Sequence, residues 1–245
     1  MGFRRGPVYT SVSQITGPSG FYRINLNNRP VTVYVDQSYD GGGWVLVLAN
    51  RINTGGMNNL TRHDAINTCN YRTGGSANGA NSTVHAGGSL SSLGLANLNV
   101  FIGANFWGEL SGRATSGKTT IVQFVSTTAG TALSSTGSHT KRYRWRSDGF
   151  GANYGFTGVT ALSDETGTGA PGFYSYHAAS GFGLTTYDND LDPNGGNCST
   201  YYNNNPWWYG SCWSGNYFAG NGYADGPYWY SSTTDYHNYG AVYIK

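Results

Sequence analysis

The chain has 245 residues, of which 38 are glycine, 20 tyrosine and 7 tryptophan against only 11% charged residues, a composition that favours turns, strands and wet aromatic surfaces over helices. Fourteen basic and twelve acidic residues leave a formal charge of +2, which argues against nucleic acid as a partner. No apolar run approaches the ~20 residues that cross a bilayer, so no membrane insertion is expected.

Residues 1 to 19 carry Pro7 and Pro18 among scattered Ser and Thr, and read as an N-terminal arm or attachment segment. The start, Met1-Gly2-Phe3-Arg4-Arg5-Gly6, lacks the apolar core of a signal peptide. Such a chain is expected either as a trimmed piece or as a protein released by cell lysis, as virion proteins are. A single domain is expected from residue 20 to residue 245. Val31, Val33 and Val35 alternate with Thr32, Tyr34 and Asp36, the period of a half-buried strand. Asp40-Gly41-Gly42-Gly43 then predicts a turn before the apolar run Trp44-Val45-Leu46-Val47-Leu48, a buried strand.

The stretch from Asn53 to Gly88 is rich in Gly, Asn, Ser and Thr without a clear period and reads as surface loops. Leu90, Leu93, Leu95 and Leu98 fit one face of a short helix, which Gly94 weakens. Strands are expected at Thr120 to Ser126, Lys141 to Arg146 and Ala241 to Ile244. In the second of these the basic residues alternate with Tyr143 and Trp145, the pattern of a strand with one solvated face rather than of a phosphate-binding patch. There is no internal repeat of fixed period. The expected class is mostly β with a few short helices (α+β).

Gly112-Arg113-Ala114-Thr115-Ser116-Gly117-Lys118-Thr119 satisfies the G-x-x-x-x-G-K-[ST] expression of a phosphate-binding loop. Such a loop must open a helix whose N-terminus meets the phosphates. The residues that follow, Thr120-Ile121-Val122-Gln123-Phe124-Val125, are β-branched and aromatic, so the segment is expected to join two strands and to bind no nucleotide. The five histidines show no metal-binding or triad spacing, and there is neither a G-x-S-x-G elbow nor an H-E-x-x-H pair. No catalytic residue is assigned and no enzyme is expected.

The informative segment is Tyr187-Asp188-Asn189-Asp190-Leu191-Asp192-Pro193-Asn194-Gly195-Gly196-Asn197-Cys198. Asp190, Asp192 and Asn194 offer oxygen donors at alternate positions and Gly195 permits a sharp turn, which is how a loop wraps a hard cation such as Ca2+. The far-end Glu of an EF-hand is replaced by Tyr201, and a solvated Asp/Asn turn without metal remains the alternative. Cys198 and Cys212 bracket Trp207 and Trp208 and are close enough to close a small loop, leaving Cys69 over. The two indoles are either a satellite core or the start of an aromatic surface continued by Trp213, Tyr217, Tyr223, Tyr228, Trp229, Tyr230, Tyr236 and Tyr239.

Taken together, Gly20-Phe21-Tyr22, Val33-Tyr34-Val35-Asp36 and Asp40-Gly41-Gly42-Gly43-Trp44 near the start, and Thr185 to Asp190, the Cys loop, Gly222-Tyr223-Ala224-Asp225-Gly226 and Val242-Tyr243-Ile244-Lys245 near the end, resemble the fibrinogen C-terminal domain family, which includes ficolins and tachylectins. The resemblance frames residues 20 to 245, with motifs at both ends and a poorly matching middle. It implies a fibrinogen C-terminal-like globular domain with long ordered loops. It also implies Ca2+ held by the carboxylates of Asp190 and Asp192 and the carbonyls of Asn194 and Gly196, and a Cys198–Cys212 disulfide. The implied ligand pocket beside the ion comprises Ser211, Cys212, Trp213, Tyr223 and Ala224, with Tyr202 and Tyr236 as further walls, and the Ser211 to Cys212 peptide is a candidate for the cis form found in acetyl-binding members.

Two departures stand out. Val35 occupies the place of the family's first cysteine, and Trp213 the place of a common histidine. The function implied is calcium-dependent recognition of surface glycans or acetylated ligands, at an extracellular or virion surface such as a phage fibre. Other virion proteins are the partners in the alternative reading, a structural module without glycan binding. A homo-oligomer, with a trimer favoured, fits the gain in avidity when weak single sites act together.

Overall fold

The computed structural model describes residues 6–51, 60–67, 71–73, 98–112, 120–128, 139–158, 160–161, 183–202, 204–209, 212, 215–216, 228–230, 234–236 and 239–245. Fifteen strands appear in chain order among them: β1 Val8–Tyr9, β2 Gly20–Leu26, β3 Arg29–Asp36, β4 Trp44–Arg51, β5 Tyr71–Thr73, β6 Leu98–Phe101, β7 Thr120–Thr128, β8 His139–Ser147, β9 Gly149–Phe150, β10 Phe156–Thr157, β11 Thr160–Ala161, β12 Gly215–Asn216, β13 Tyr228–Tyr230, β14 Thr234–Tyr236 and β15 Tyr239–Ile244. The helices are short: α1 Arg62–Asn67, α2 Trp107–Leu110 and α3 Cys198–Tyr201.

The main sheet runs β1-β2-β3-β4-β15-β7-β8-β11, with β6 pairing β4 and β5 pairing β6. Its centre is β15, antiparallel to β4 through Val242 opposite Leu48 and to β7 through Val242 opposite Phe124. Both β4 and β15 are apolar without alternation because both faces are covered: Trp44 through Leu48, and Ala241 through Ile244, are at most 1% exposed. Burial of this kind, at about 25 cal/mol per Å2 of apolar surface, is the main force holding the sheet.

The strand readings at Val31 to Asp36, Trp44 to Leu48, Thr120 to Ser126, Lys141 to Arg146 and Ala241 to Ile244 all fall inside observed strands. The half-buried pattern read for Val31 to Asp36 needs correction, because Tyr34 and Asp36 are buried as well as Val33 and Val35. Asp36 is accommodated by accepting hydrogen bonds from Ser19 Oγ at 3.1 Å, Ser38 N at 2.7 Å and Ser38 Oγ at 2.6 Å.

Three further readings differ from the structure. The stretch read as an arm contributes β1, which pairs parallel to β2 at Arg23 and Ile24, and it buries Val12 and Ile15 in the core. The Gly/Asn-rich region read as loops contains α1, whose start is closed by Thr61 Oγ1 accepting from Asp64 N at 3.1 Å while donating to Asp64 Oδ2 at 3.0 Å. Of the leucines read as one helix, Leu98 begins β6 and the rest lie outside the described residues. The expected strand connection from Gly112 to Thr119 lies mostly outside the described residues, at 113–119, between α2 and β7. Helix before and strand after is the reverse of the order that nucleotide binding requires.

Two glycine positions are dictated by backbone. At the Asp40 turn φ is 41° at Asp40, a residue type that tolerates the left-handed region, and 76°, 74° and 79° at Gly41, Gly42 and Gly43, a continued left-handed path that favours glycine. Gln37 Oε1 accepts from Gly43 N at 2.8 Å, and Lys245 Nζ donates to Asp40 O at 2.6 Å while sitting 5.4 Å from the Trp44 ring centroid. At Gly103 a Cβ would collide with the Ile66 carbonyl and lie 2.7 Å from Asn67 N, so close approach of α1 to the segment that precedes α2 requires glycine there.

Candidate functional site

The acidic segment hangs from the aromatic core. Thr185 and Trp207 exchange backbone hydrogen bonds of 2.9 and 3.1 Å, and Leu184 N donates to Asn153 O at 3.0 Å. Trp207 and Trp208 are 0% and 1% exposed, which decides their role as core rather than surface aromatics. Trp208 packs 5.7 Å from Trp107 and 5.0 Å from Phe156, ring centre to ring centre, and its Nε1 donates to Tyr154 O at 2.7 Å.

From that anchor the chain turns back on itself, Thr186 N and Asn189 N each bonding to the other residue's carbonyl. Asp188 ties the turn to α1, accepting from Arg62 N at 2.9 and 3.1 Å and from Thr186 Oγ1 at 2.7 Å. The Arg62 guanidinium reaches Leu184 O and lies 5.7 Å from the Tyr154 ring, and burial lowers its pKa from the ordinary value.

The exposed part of the loop is built by side chains folding back on their own backbone, the behaviour that suits Asp and Asn to such turns. Asp190 Oδ1 accepts from Asp192 N at 3.3 Å, Asp192 Oδ1 from Asn194 N at 3.0 Å, and Asp192 Oδ2 from Cys198 N at 3.0 Å. Asn194 Nδ2 donates to Cys212 Sγ at 3.0 Å and to Gly196 O at 3.4 Å. Desolvation raises the Asp192 carboxyl above the usual carboxylate range, the nearby Asp190 charge adds to it, and the bonds from Cys198 N and Asn194 N oppose it.

Asn197 then starts α3, its Oδ1 accepting from Thr200 N at 3.1 Å and its Nδ2 donating to Thr186 O at 2.9 Å. The Cys198–Cys212 disulfide is formed, with Cα atoms 5.0 Å apart. Cys212 sits in the left-handed region, at φ 62°.

The donor residues named from sequence, Asp190, Asp192, Asn194 and Gly196, therefore occupy one turn beside the disulfide. Among the described residues there is no cluster of three or more His, Cys, Asp or Glu, so any cation shell here needs backbone carbonyls as well as the two carboxylates. Next to the turn opens a recess of about 630 Å3 lined by Asn194, Gly196, Asn197, Thr200, Tyr201 and Cys212.

The residues named as pocket walls are only partly brought to it. Cys212 lines the recess. Tyr202 is 8% exposed and stacks on Tyr209 at 6.0 Å in the core, and its neighbour Tyr201, 71% exposed, lines the recess. Tyr236 is in β14, its backbone opposite Tyr228. Ser211, Trp213, Tyr223 and Ala224 lie outside the described residues, and with Ser211 the peptide to Cys212. Sequence reasoning missed Thr200, Tyr201 and the Asp188 clamp; the only signal for the first two was their place just after the Asn197 cap.

No family model matches the chain, and no curated protein matches it in sequence. Solved structures do match. The fibrinogen-like globe domain of human ANGPTL6 aligns with a TM-score of 0.57 at 19% identity, covering 96% of this chain and 91% of that one. The corresponding domain of human ANGPTL2 gives 0.57 at 17% identity, covering 96% and 95%. A lamprey fibrin D-dimer complexed with the peptide Gly-His-Arg-Pro-amide gives 0.61 at 15% identity, covering 98% and 74%. With nearly the whole chain aligned in each case, the sheet-dominated architecture and its short helices are those of the fibrinogen-like globe fold.

Proposed function

We propose that this chain is a calcium-dependent recognition module, not an enzyme, which binds carbohydrate or acetylated ligands on a surface. The observation that carries the reading is the recess of about 630 Å3 set directly against the acidic turn and the disulfide, so that anything fixing the turn also fixes a wall of the recess. The residues present suit a hard cation. Asp190 and Asp192 bring two carboxylates into one turn, and the Asp192 carboxyl is raised first by desolvation and further by the nearby Asp190 charge. The two carboxylates and the carbonyls of Asn194 and Gly196 would hold Ca2+. The ion would supply positive charge to neutralise the carboxylates and to fix the turn. The protein's own contribution is to keep the turn in place through Thr185, Asp188 and Asn197, whichever ligand enters the recess.

An extracellular or virion-surface setting and a homo-oligomer, with a trimer favoured, belong to the same proposal. The disulfide supports an oxidising exterior, and several weak sites engaged together supply avidity. The lamprey fibrin structure carries a peptide, so short peptides belong in the test beside sugars.

The deciding experiment is a glycan and peptide array probed with calcium and again with chelator. Calcium-dependent glycan hits are expected. A flat glycan array from a folded protein would overturn the glycan reading in favour of a virion structural role through protein contacts, and hits confined to peptides would move the ligand class to polypeptide.

A further inference from the structure

We infer that the recess contains a subsite for a neutral, hydroxyl-rich ring stacked on Tyr201; the inference rests on the recognition reading above and narrows its ligand class. Tyr201 is 71% exposed while Tyr202, one residue on, is 8% exposed. The two rings meet edge to face at 5.1 Å and 79°, and Tyr202 is itself stacked on Tyr209 at 24°. An exposed ring braced in this way by the core loses little conformational freedom when a ligand covers it, which is what makes a rigid tyrosine an effective contact. The backbone beneath it is held too, since Tyr201 N donates to Asn197 O and α3 begins at a disulfide-bonded cysteine.

The polar lining selects the ligand. None of the described residues lining the recess carries a formal charge, and Asp190 and Asp192 stand in the adjoining turn, so a carboxylate or phosphate finds no partner of opposite sign among the described residues. Apart from the Tyr201 hydroxyl, the side-chain donors of the described lining are already used. The Asn197 amide is bonded to Thr186 O, the Thr200 hydroxyl donates to Asn197 O at 2.7 Å, and the Asn194 amide donates to Cys212 Sγ and Gly196 O. What these side chains still offer is acceptors, Asn194 Oδ1 and the lone pairs of Thr200 Oγ1. A described lining rich in acceptors and without formal charge, beside a flat apolar ring, calls for a ligand with several O–H donors on its rim and a C–H face for the tyrosine. A pyranose has both, and an acetyl group, with an acceptor carbonyl and one methyl, uses less of the site.

The test is saturation-transfer NMR and calorimetry, in calcium, on parent protein, Tyr201→Ala, Tyr201→Phe and Thr200→Val. The probes are the methyl glycosides of glucose, galactose and mannose, with N-acetylneuraminic acid as the anionic comparison. At least one neutral glycoside should bind, and Tyr201→Ala should weaken it by about tenfold or more. Tyr201→Phe, which keeps the face, should retain binding. Thr200→Val should weaken it, and calcium affinity should not change in any of the three. Equal binding to parent and Tyr201→Ala, or a preference for the anionic sugar, overturns the subsite and leaves the recognition reading standing. A parent that gives calcium-dependent array hits but binds no neutral glycoside also overturns the subsite alone, whereas a parent that binds no glycan in either experiment overturns both.

Discussion

The central sheet and the loop from Thr185 to Cys212 solve opposite problems. In β4 and β15 every side chain from Trp44 to Leu48 and from Ala241 to Ile244 is buried, and the backbone groups are satisfied by neighbouring strands. In the loop the exposed turn is held by Asp190, Asp192, Asn194 and Asn197 bonding to nearby main chain, while the segments on either side of it are rooted in the core through Thr185, Cys198, Trp207 and Trp208. A sheet secured by burial tolerates change at its edges and little at its centre. A turn secured by its own side chains is sensitive to each of them yet separable from the rest of the fold, and that separation is what allows a binding loop to vary on a constant scaffold.

The largest expected effect tests the roots. Trp208→Ala removes a ring that touches Trp107, Phe156 and Trp207 and strips the Tyr154 carbonyl of its donor. A loss of roughly 3–5 kcal/mol in denaturant unfolding is expected, with the loop lost alongside. Replacing both Asp190 and Asp192 by Ala should do the reverse, sparing the sheet and abolishing calcium-dependent stabilisation. In the parent that stabilisation should reach about 2.7 kcal/mol when free calcium is a hundredfold above its Kd. A parent melting temperature indifferent to calcium would remove the basis for the ion site.

A smaller effect isolates the sheet. Burial pushes the Tyr34 hydroxyl up to about 12 from 10.0, with the Asp36 charge adding and a Ser19 hydrogen bond opposing. The unfolded chain therefore gives up this proton near pH 10 while the folded chain keeps it until about 12. Stability from this source is whole below pH 10 and is lost as the pH climbs from 10 to 12. Tyr34→Phe should flatten that alkaline decline, measured by urea unfolding at stepped pH, without touching calcium binding. The smallest expected effect is zero: calorimetry with ATP and magnesium should show no heat of binding for the parent, and Lys118→Ala should leave that result unchanged. Micromolar binding lost in the variant would restore the nucleotide reading.

The sheet was legible because uninterrupted apolar runs and β-branched stretches carry their own signal, as at Trp44 to Leu48 and Thr120 to Ser126. What was not legible depended on partners far away in sequence. β1 and the buried Val12 and Ile15 look like an arm until β2 and the Gly turn are folded against them, and α1 is six residues stabilised by a cap and by Asp188, more than a hundred positions distant. In the candidate site the donor turn could be read, because Asp and Asn at alternate positions shape their own backbone. Which of two adjacent tyrosines faces solvent could not, since the direction in which α3 leaves the disulfide sets it. The Trp207-Trp208 pair was open between core and surface until Thr185 fixed its depth.

The position of β15 has a consequence for how this protein comes to be folded. The strand that joins β4 to β7 follows both of them at a great distance along the chain, Val242 pairing with Leu48 on one side and Phe124 on the other. Until β15 arrives, two apolar strands present unpaired edges, the kind of surface through which chains associate wrongly. Closure must also wait for a long-range encounter, which makes it slow. The step that completes the sheet is thus the one most exposed to competition from neighbouring copies, and dilution or a chaperone that shields β4 and β7 should raise the yield of native protein more than any change in the recognition loop.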